Sequence, residues 1–450
     1  MKLGIMIFIN KLVTWVCKLF GKNGSVYPAN IVYWHLRQRN ILDKIKYPKY
    51  VIAVTGSSGK GSTTNLINHI LTNKGLDVCY NSNGSNGILA AVTLILNNCN
   101  LKGEFLHDVL LLECDERHLK IIFGKNKMTH LVVTNVTRDQ PARNGDPDIV
   151  FNDIVKAIGK DTKLIINNDD PLVNRLSYMF PNNEIVTYGV SKTNDSYLKS
   201  SIEAVDYAYC PKCHKKLKYE YYHYGHIGNY SCPLCDFGRG KVDYEVTEVD
   251  FKKHSIKING KDIYLNKDVL YAVYYTVGAY ALCKSMGVSD SELDKAINGD
   301  KLSTKRGKVM KLDNRDLTML ETKNENNLSY WQSIRFIKNQ SGKKTIILGF
   351  DNVSRRYQFN DLSWLWDVEF ELLNDKNIDK IFVIGRFRYD VMTRLEFAGI
   401  DKDKIVLIDE LDTLIKRVKK ESVGDIYTMV CFDMTANIHK LIEDDENEKN

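Results

Sequence analysis

This 450-residue chain has no apolar run long enough and free enough of charge to cross a bilayer. Its richest stretch, Leu3 to Phe20, is dense in Ile, Phe, Val and Trp, but Lys11 and Lys18 interrupt it and no small-residue cleavage site follows. That pattern predicts an amphipathic helix, neither a span nor a secretory leader, and the chain is expected in the cytoplasm. The apolar face of the helix is expected to cover a domain, with a peripheral membrane surface at the inner face of the membrane as the alternative occupant. A charge excess is missing as well. The 63 Lys and Arg stand against 56 Asp and Glu, and a net +7 calls for no nucleic acid. A disulfide pattern is absent, since six of the 10 cysteines are scattered singly. Cys114 and Cys431 follow apolar runs and read as core residues, not nucleophiles.

What the chain does have is a 44% hydrophobic composition, enough for two or three domains. The run Val51-Ile-Ala-Val-Thr55 breaks into Gly56-Ser57-Ser58-Gly59-Lys60-Gly61-Ser62-Thr63 and then a helical pattern. Glycines let backbone N–H groups approach phosphate oxygens, a lysine neutralises the β and γ phosphates, and Ser62 or Thr63 can ligate Mg²⁺. The helix N-terminus adds positive potential at the same point. This loop points to a nucleotide triphosphate.

Four cysteines form a tight set, Cys210-Pro-Lys-Cys213 and Cys232-Pro-Leu-Cys235, with 18 residues between the two pairs. Such knuckles hold a structural zinc, because four sulfurs leave no position open for water. The intervening Lys218, Tyr219, Tyr221, Tyr222 and His223 are expected to form a hairpin with little core of its own, and His214, His223 and His226 to lie at the surface.

Strands and helices alternate in a doubly wound manner from Val51 to about Tyr188. Three apolar strands end in polar clusters: one at Glu113, one running into Thr134-Asn135 and Arg138-Asp139, one into Asn168-Asp169-Asp170-Pro171. Open α/β sheets bind ligands at such edges, and Glu113 is the Mg²⁺ candidate. Asp115 and Glu116 have no evident place. A second α/β unit opens near Val309. The expected division is a helical lead-in at 1–48, an ATP-binding domain at 49–300 with the ribbon inserted at about 205–240, a C-terminal domain at 301–442 and a frayed acidic tail at 443–450.

In order along the chain, these motifs resemble the central ATPase domain of the Mur ligase superfamily. The resemblance implies an α/β fold: a Mur ligase central P-loop ATPase domain with an inserted four-cysteine zinc ribbon, followed by a C-terminal Rossmann-like α/β domain. The segments Asp361-Leu-Ser-Trp364-Leu-Trp366-Asp367 and Gly385-Arg386-Phe-Arg388-Tyr-Asp390 to Gly399 resemble the C-terminal domain of the MurT family. That family implies ATP-driven amidation of the α-carboxylate of D-glutamate in the stem peptide of lipid II or a related muropeptide. The route is an acyl phosphate, with ammonia supplied by a GatD-type class I glutaminase in a heterodimer. By resemblance Lys60 and Glu113 are catalytic, Mg²⁺ sits on Ser62 and Glu113, and Asn135 and Lys323 join Gly56 to Thr63 around the nucleotide. Asp361 or Asp367 would orient the glutaminase histidine, with a helix-cap role as the alternative for both. Trp364 and Trp366 would anchor the partner.

The chain departs from the superfamily in several places. It reads Leu270-Tyr271-Ala272-Val273-Tyr274-Tyr275 where two asparagines are usual near the adenine, and Gly307-Lys308, beside Arg306, in place of Gly-Arg. Glu325-Asn326 follow Lys323-Asn324, and Pro-Ala-Arg143 follows Gln140. An amino-acid-adding ligase of the Mur or folylpolyglutamate type, or a non-catalytic zinc-ribbon scaffold, are the alternative readings.

Overall fold

The computed structural model describes residues 2–82, 84–124, 127–141, 145–200, 209–299, 309–322, 326–351 and 361–447. Strands β1 (Tyr50–Thr55), β2 (Val78–Tyr80), β3 (Val109–Glu113), β4 (His130–Val133), β5 (Lys163–Asn167) and β6 (Ile185–Val190) pair in parallel in the order β2-β3-β1-β4-β5-β6. Their apolar runs are continuous because helices cover both faces. Val51 and Ala53 of β1 join one core with Val92 and Phe151, while Ile52 and Val54 join the opposite core with Ile67 and Val277. The chain passes from β1 to β2 and β3 on one side and then to β4 on the other, so the order reverses beside β1. A crevice at the carboxyl ends of β1, β3 and β4 follows from that reversal.

A separate hairpin, β7 (Lys218–Tyr224) and β8 (Ile227–Ser231), interrupts the sheet. Then β9 (Tyr244–Asp250) pairs parallel to β6, and β10 (Ser255–Ile258) and β11 (Lys261–Tyr264) extend it antiparallel to nine strands. The helix Leu270–Ser285, predicted over Asp268 to Met286, is buried nearly all round.

The second sheet contains β12 (Val309–Leu312), β13 (Arg315–Thr322), β14 (Lys344–Gly349), β15 (Ile378–Ile384), β16 (Ile405–Leu407) and β17 (Asp425–Cys431). Its order is β12-β13-β17-β14-β15-β16, parallel except for β12.

The helix Leu3–Leu19 forms as the sequence predicts and buries Met6 and Ile7 on the first unit. Asn10 fixes its rotation by donating to Thr93 O at 3.2 Å and to Asn97 Oδ1 at 2.9 Å. No helix among the described residues is long and apolar enough to cross a membrane. Of the end expected to fray from Glu443, residues 443–447 belong to the helix Phe432–Asn447, and 448–450 lie outside the described residues. Asp445 is held there by an ion pair with Lys419, which outweighs the repulsion of neighbouring acids.

Candidate functional site

The glycine loop is built against β4. Gly56 has φ of 127°, and a Cβ there would meet Thr134 Oγ1 at 2.3 Å and Asn135 O at 2.7 Å, so only glycine fits. Ser57 N donates to Asn135 O at 2.9 Å and Ser58 N to Asn135 Oδ1 at 2.9 Å. Asn135 Nδ2 returns a bond to Ser58 O at 3.1 Å, and Thr134 Oγ1 donates to the same carbonyl at 2.7 Å. Asn135 thus clamps the loop. The amides of Gly56, Ser57 and Ser58 have protein acceptors, so the N–H groups that the helix itself leaves over are those of its first turn, Lys60 to Ser62, the kind of position that suits an anion.

Lys60 is buried, with Nζ on Glu116 Oε1 at 2.9 Å and on Gly56 O. Burial alone would lower its pKa, but the charges of Glu116, Asp139 and Glu113 outweigh that and hold it above the usual lysine value. Glu116 also accepts from Gly56 N at 3.0 Å. Sequence reasoning had left Glu116 without a role; its only signal was position just past a buried parallel strand. Asp115, equally unplaced, accepts from Arg117 N at 3.2 Å and pairs with its guanidinium at 2.9 Å.

Glu113 lies against the first turn of the helix: its Oε2 is 2.9 Å from where a Cβ on Gly61 would stand. Ser62 is half-buried on that same turn. An oxygen set of one carboxylate and one hydroxyl beside the anion-facing amides suits Mg²⁺, which binds few protein ligands and completes its shell with phosphate and water.

The second unit closes on this loop through the segment after β4. Thr137 N donates to Ser57 Oγ at 2.9 Å, and Thr137 Oγ1 donates to Asn327 Oδ1 at 2.8 Å. Asn326 Nδ2 donates to Asp139 Oδ1 at 3.1 Å, while its own Oδ1 caps the helix Asn327–Asn339 by accepting from Ser329 N at 2.9 Å. Arg138 pairs with Asp367 at 3.2 Å. Asn326 and Asn327 were missed as site residues because nothing local distinguishes a cap from a bridge between units.

Asp361 is half-buried and accepts from Ser363 N at 2.8 Å, as a helix cap does. Trp364 cannot anchor a partner: it is buried with Tyr330 and Phe350, ring centroids 5.1 Å from each. Trp366 is the exposed one, 49% accessible.

Of the third polar cluster, Asp170 caps the helix Pro171–Met179 and accepts from Val136 N at 2.8 Å. Asp169 accepts from Arg239 Nε at 2.6 Å, Tyr274 OH at 2.6 Å and Val190 N at 2.7 Å. Burial opposes the Arg239 charge, yet Asp169 beside it raises the pKa overall. Tyr274 thus spends its hydroxyl inside the fold. Leu270 and Tyr271, at the positions without asparagine, line a cavity of about 480 Å³ with Phe251, Arg335, Phe336 and Asn339. Lys323, Asn324 and Glu325, the Arg306-Gly307-Lys308 segment and Arg143 lie outside the described residues.

The sulfurs of Cys210, Cys213, Cys232 and Cys235 lie within 4.8 Å of one another, with close pairs at 3.4 and 3.8 Å. A tetrahedron with bonds of about 2.3 Å has edges of about 3.8 Å, so the set fits zinc. The amides of Lys212 and Leu234 point at Cys210 and Cys232 sulfur, each at 3.4 Å, which favours thiolates. Two expectations about the insert are corrected. Its hairpin does have a core, since Tyr224 and Ile227 pack with Tyr188 and Tyr274. His223 and His226 are buried, whereas His214 is exposed. His223 donates from Nε2 to Val190 O at 3.0 Å and its Nδ1 meets Ser196 Oγ at 3.1 Å, with burial pushing its pKa down.

Comparison with known proteins accords with this geometry. The family model "Mur ligase middle domain" matches residues 54–230, and "MurT ligase C-terminal" matches 324–434. The MurT subunit of lipid II isoglutaminyl synthase from Staphylococcus aureus (strain COL) is 26% identical over 413 residues, covering 89% of each chain. Its counterpart from Streptococcus pneumoniae (strain ATCC BAA-255 / R6) is 24% identical over 426 residues, 93% of this chain and 92% of that one. Among solved structures, a pseudomurein peptide ligase type C from Methanothermus fervidus superposes with a TM-score of 0.66 at 18% identity, over 90% of this chain and 80% of that one. Shared fold and near full-length similarity make the chain a relative of the MurT subunits, built on the Mur ligase fold.

Proposed function

We propose that this chain is an ATP-dependent carbon–nitrogen ligase that amidates the α-carboxylate of D-glutamate in the stem peptide of lipid II, with ammonia delivered by a GatD-type glutaminase partner. The substrate carboxylate oxygen attacks the γ-phosphorus and the bond to the β–γ bridging oxygen breaks, releasing ADP. Ammonia then attacks the acyl carbon, phosphate leaves with the C–O electron pair, and the nitrogen loses a proton. Two anions must meet in the first step. The ammonium of Lys60 and the first-turn amides supply fixed positive potential, and Glu113 with Ser62 would hold the Mg²⁺ that screens the phosphates. The cavity at Tyr271 offers aromatic walls for the base. Asp361, which accepts from the Ser363 amide, is the carboxylate proposed to orient the glutaminase histidine; Asp367 pairs with Arg138.

One observation carries this reading: buried Lys60 and Glu116, with half-buried Glu113 beside them, stand at the carboxyl edge of a parallel sheet, and the second unit is hydrogen-bonded onto the same loop. The test combines the purified chain, a GatD-type glutaminase, lipid II, Mg-ATP and glutamine, with mass spectrometry of the product. A carboxamide is expected, and an ammonium salt should replace glutamine. Incorporation of an offered amino acid in place of ammonia would assign the chain to the amino-acid-adding ligases. Asp361→Asn should abolish the glutamine-driven reaction and spare the ammonium-driven one.

A further inference from the structure

The helix Leu3–Leu19 has two apolar faces, and only one of them is used by the fold. Met6 and Ile7 point into the first unit, together with the hydrogen-bonded Asn10 and Thr14. On the opposite side Ile5, Phe8, Leu12, Trp15, Val16 and Leu19 recur at intervals of three and four, which is one continuous stripe. They are open to solvent: Phe8 is 55% accessible, Trp15 58%, Leu19 63%, and Phe20 just beyond 76%. A run of large apolar side chains in the open is not a default surface and marks a contact.

The charge around the stripe says what the contact is. At 100° per residue Lys11 and Lys18 flank one edge of it. The first acidic residue of the chain is Asp43; before it stand Lys2, Lys11, Lys18, Lys22, Arg37 and Arg39. The segment packed on this helix exposes Tyr27 and Trp34 as well, the latter under the Arg39 guanidinium at 4.5 Å. Apolar and aromatic side chains bordered by lysines, with no acid among them, match the boundary of an anionic bilayer, where rings sit at the headgroup level and lysine heads reach the phosphates. A second copy of this face would set lysines against lysines. We infer that the helix Leu3–Leu19 lies in the plane of an anionic phospholipid surface by its Phe8, Trp15 and Leu19 face and holds the first unit against it. This goes beyond the proposed reaction and does not depend on it.

The test is co-sedimentation of the full chain with vesicles of phosphatidylcholine alone and with about one third phosphatidylglycerol. Native chain should partition at least about tenfold better onto the anionic vesicles, and Lys11→Gln and Lys18→Gln should each reduce that by about fivefold. Phe8→Glu with Trp15→Glu should abolish partition while nucleotide binding remains. Should that pair not fold, quenching by brominated lipid, compared between the native chain and Trp15→Phe, reads the same contact; a clear fall in quenching in Trp15→Phe, with the remainder from Trp34, is expected, and unchanged quenching overturns the inference. No partition, equal partition onto both vesicles, or retained partition in the Glu pair overturns the inference. So does a dimer that ignores vesicles and falls to monomer on the same substitutions.

Discussion

The two parallel sheets end very differently at their carboxyl edges. Beyond β1, β3 and β4 a lysine, two glutamates and the Asp139 carboxylate gather around a glycine loop, the lysine and one glutamate fully enclosed. Beyond β14 and β15 the described residues bring backbone and rings together: a Cβ on Gly385 would come within 2.3 Å of Phe350 O, and Phe350, Tyr330 and Trp364 pack in tilted and edge-on pairs. The same architecture gathers opposed charges around a glycine loop in one case and packs aromatic rings in the other. What makes a sheet edge reactive is the burial of opposed charges that a phosphate and its metal can rearrange, since electrostatic terms grow as water is excluded.

The sharpest way to break this contrast is Lys60→Ala. It should cut carboxamide formation by about 10³-fold in the reconstituted reaction, the scale seen when a preorganised charge is removed, and unchanged amidation would leave the loop without its proposed role. Next in size is Arg239→Leu, which strands the Asp169 carboxylate inside the fold; denaturation should show about 3–5 kcal/mol lost. In the second sheet Gly385→Ala should cost up to about 3 kcal/mol in the same assay, because φ of 91° and the Phe350 carbonyl both oppose a side chain, with little change in nucleotide binding. The amino edge of the first sheet offers the mildest test. Burial, then the Lys163 charge, lowers the His130 pKa to about 4. The unfolded chain therefore takes up a proton below about pH 6.5 that the fold resists. Stability should fall by about 2 kcal/mol between pH 7 and 5 and go on falling toward pH 4, and His130→Asn should flatten that slope.

Much of this was legible in the residues. The β1 run, Gly56 to Thr63 and the alternation of strands and helices announced a nucleotide fold, because backbone conformation and strand burial are local properties with local spelling. Two cysteine knuckles announced a metal site for the same reason. The partners of Lys60 were not legible. Glu116 is 56 residues away, Asn326 and Asn327 lie beyond the second sheet boundary, and only chain crossing brings them to one loop. The histidines of the insert misled because their burial depends on Tyr274 and Val190, far along the chain.

By itself, then, the sequence determined the elements and their chemistry: a phosphate loop, a four-sulfur cage, two α/β units and an amphipathic first helix, each written in spacing of a few residues. The tertiary structure alone decided which acid holds Lys60, that the second unit rests on the loop through Thr137 and Asn327, and which of the two apolar faces of the first helix stays open. Those outcomes depend on contacts between residues distant in the chain, and a contact of that kind has no signature in local periodicity.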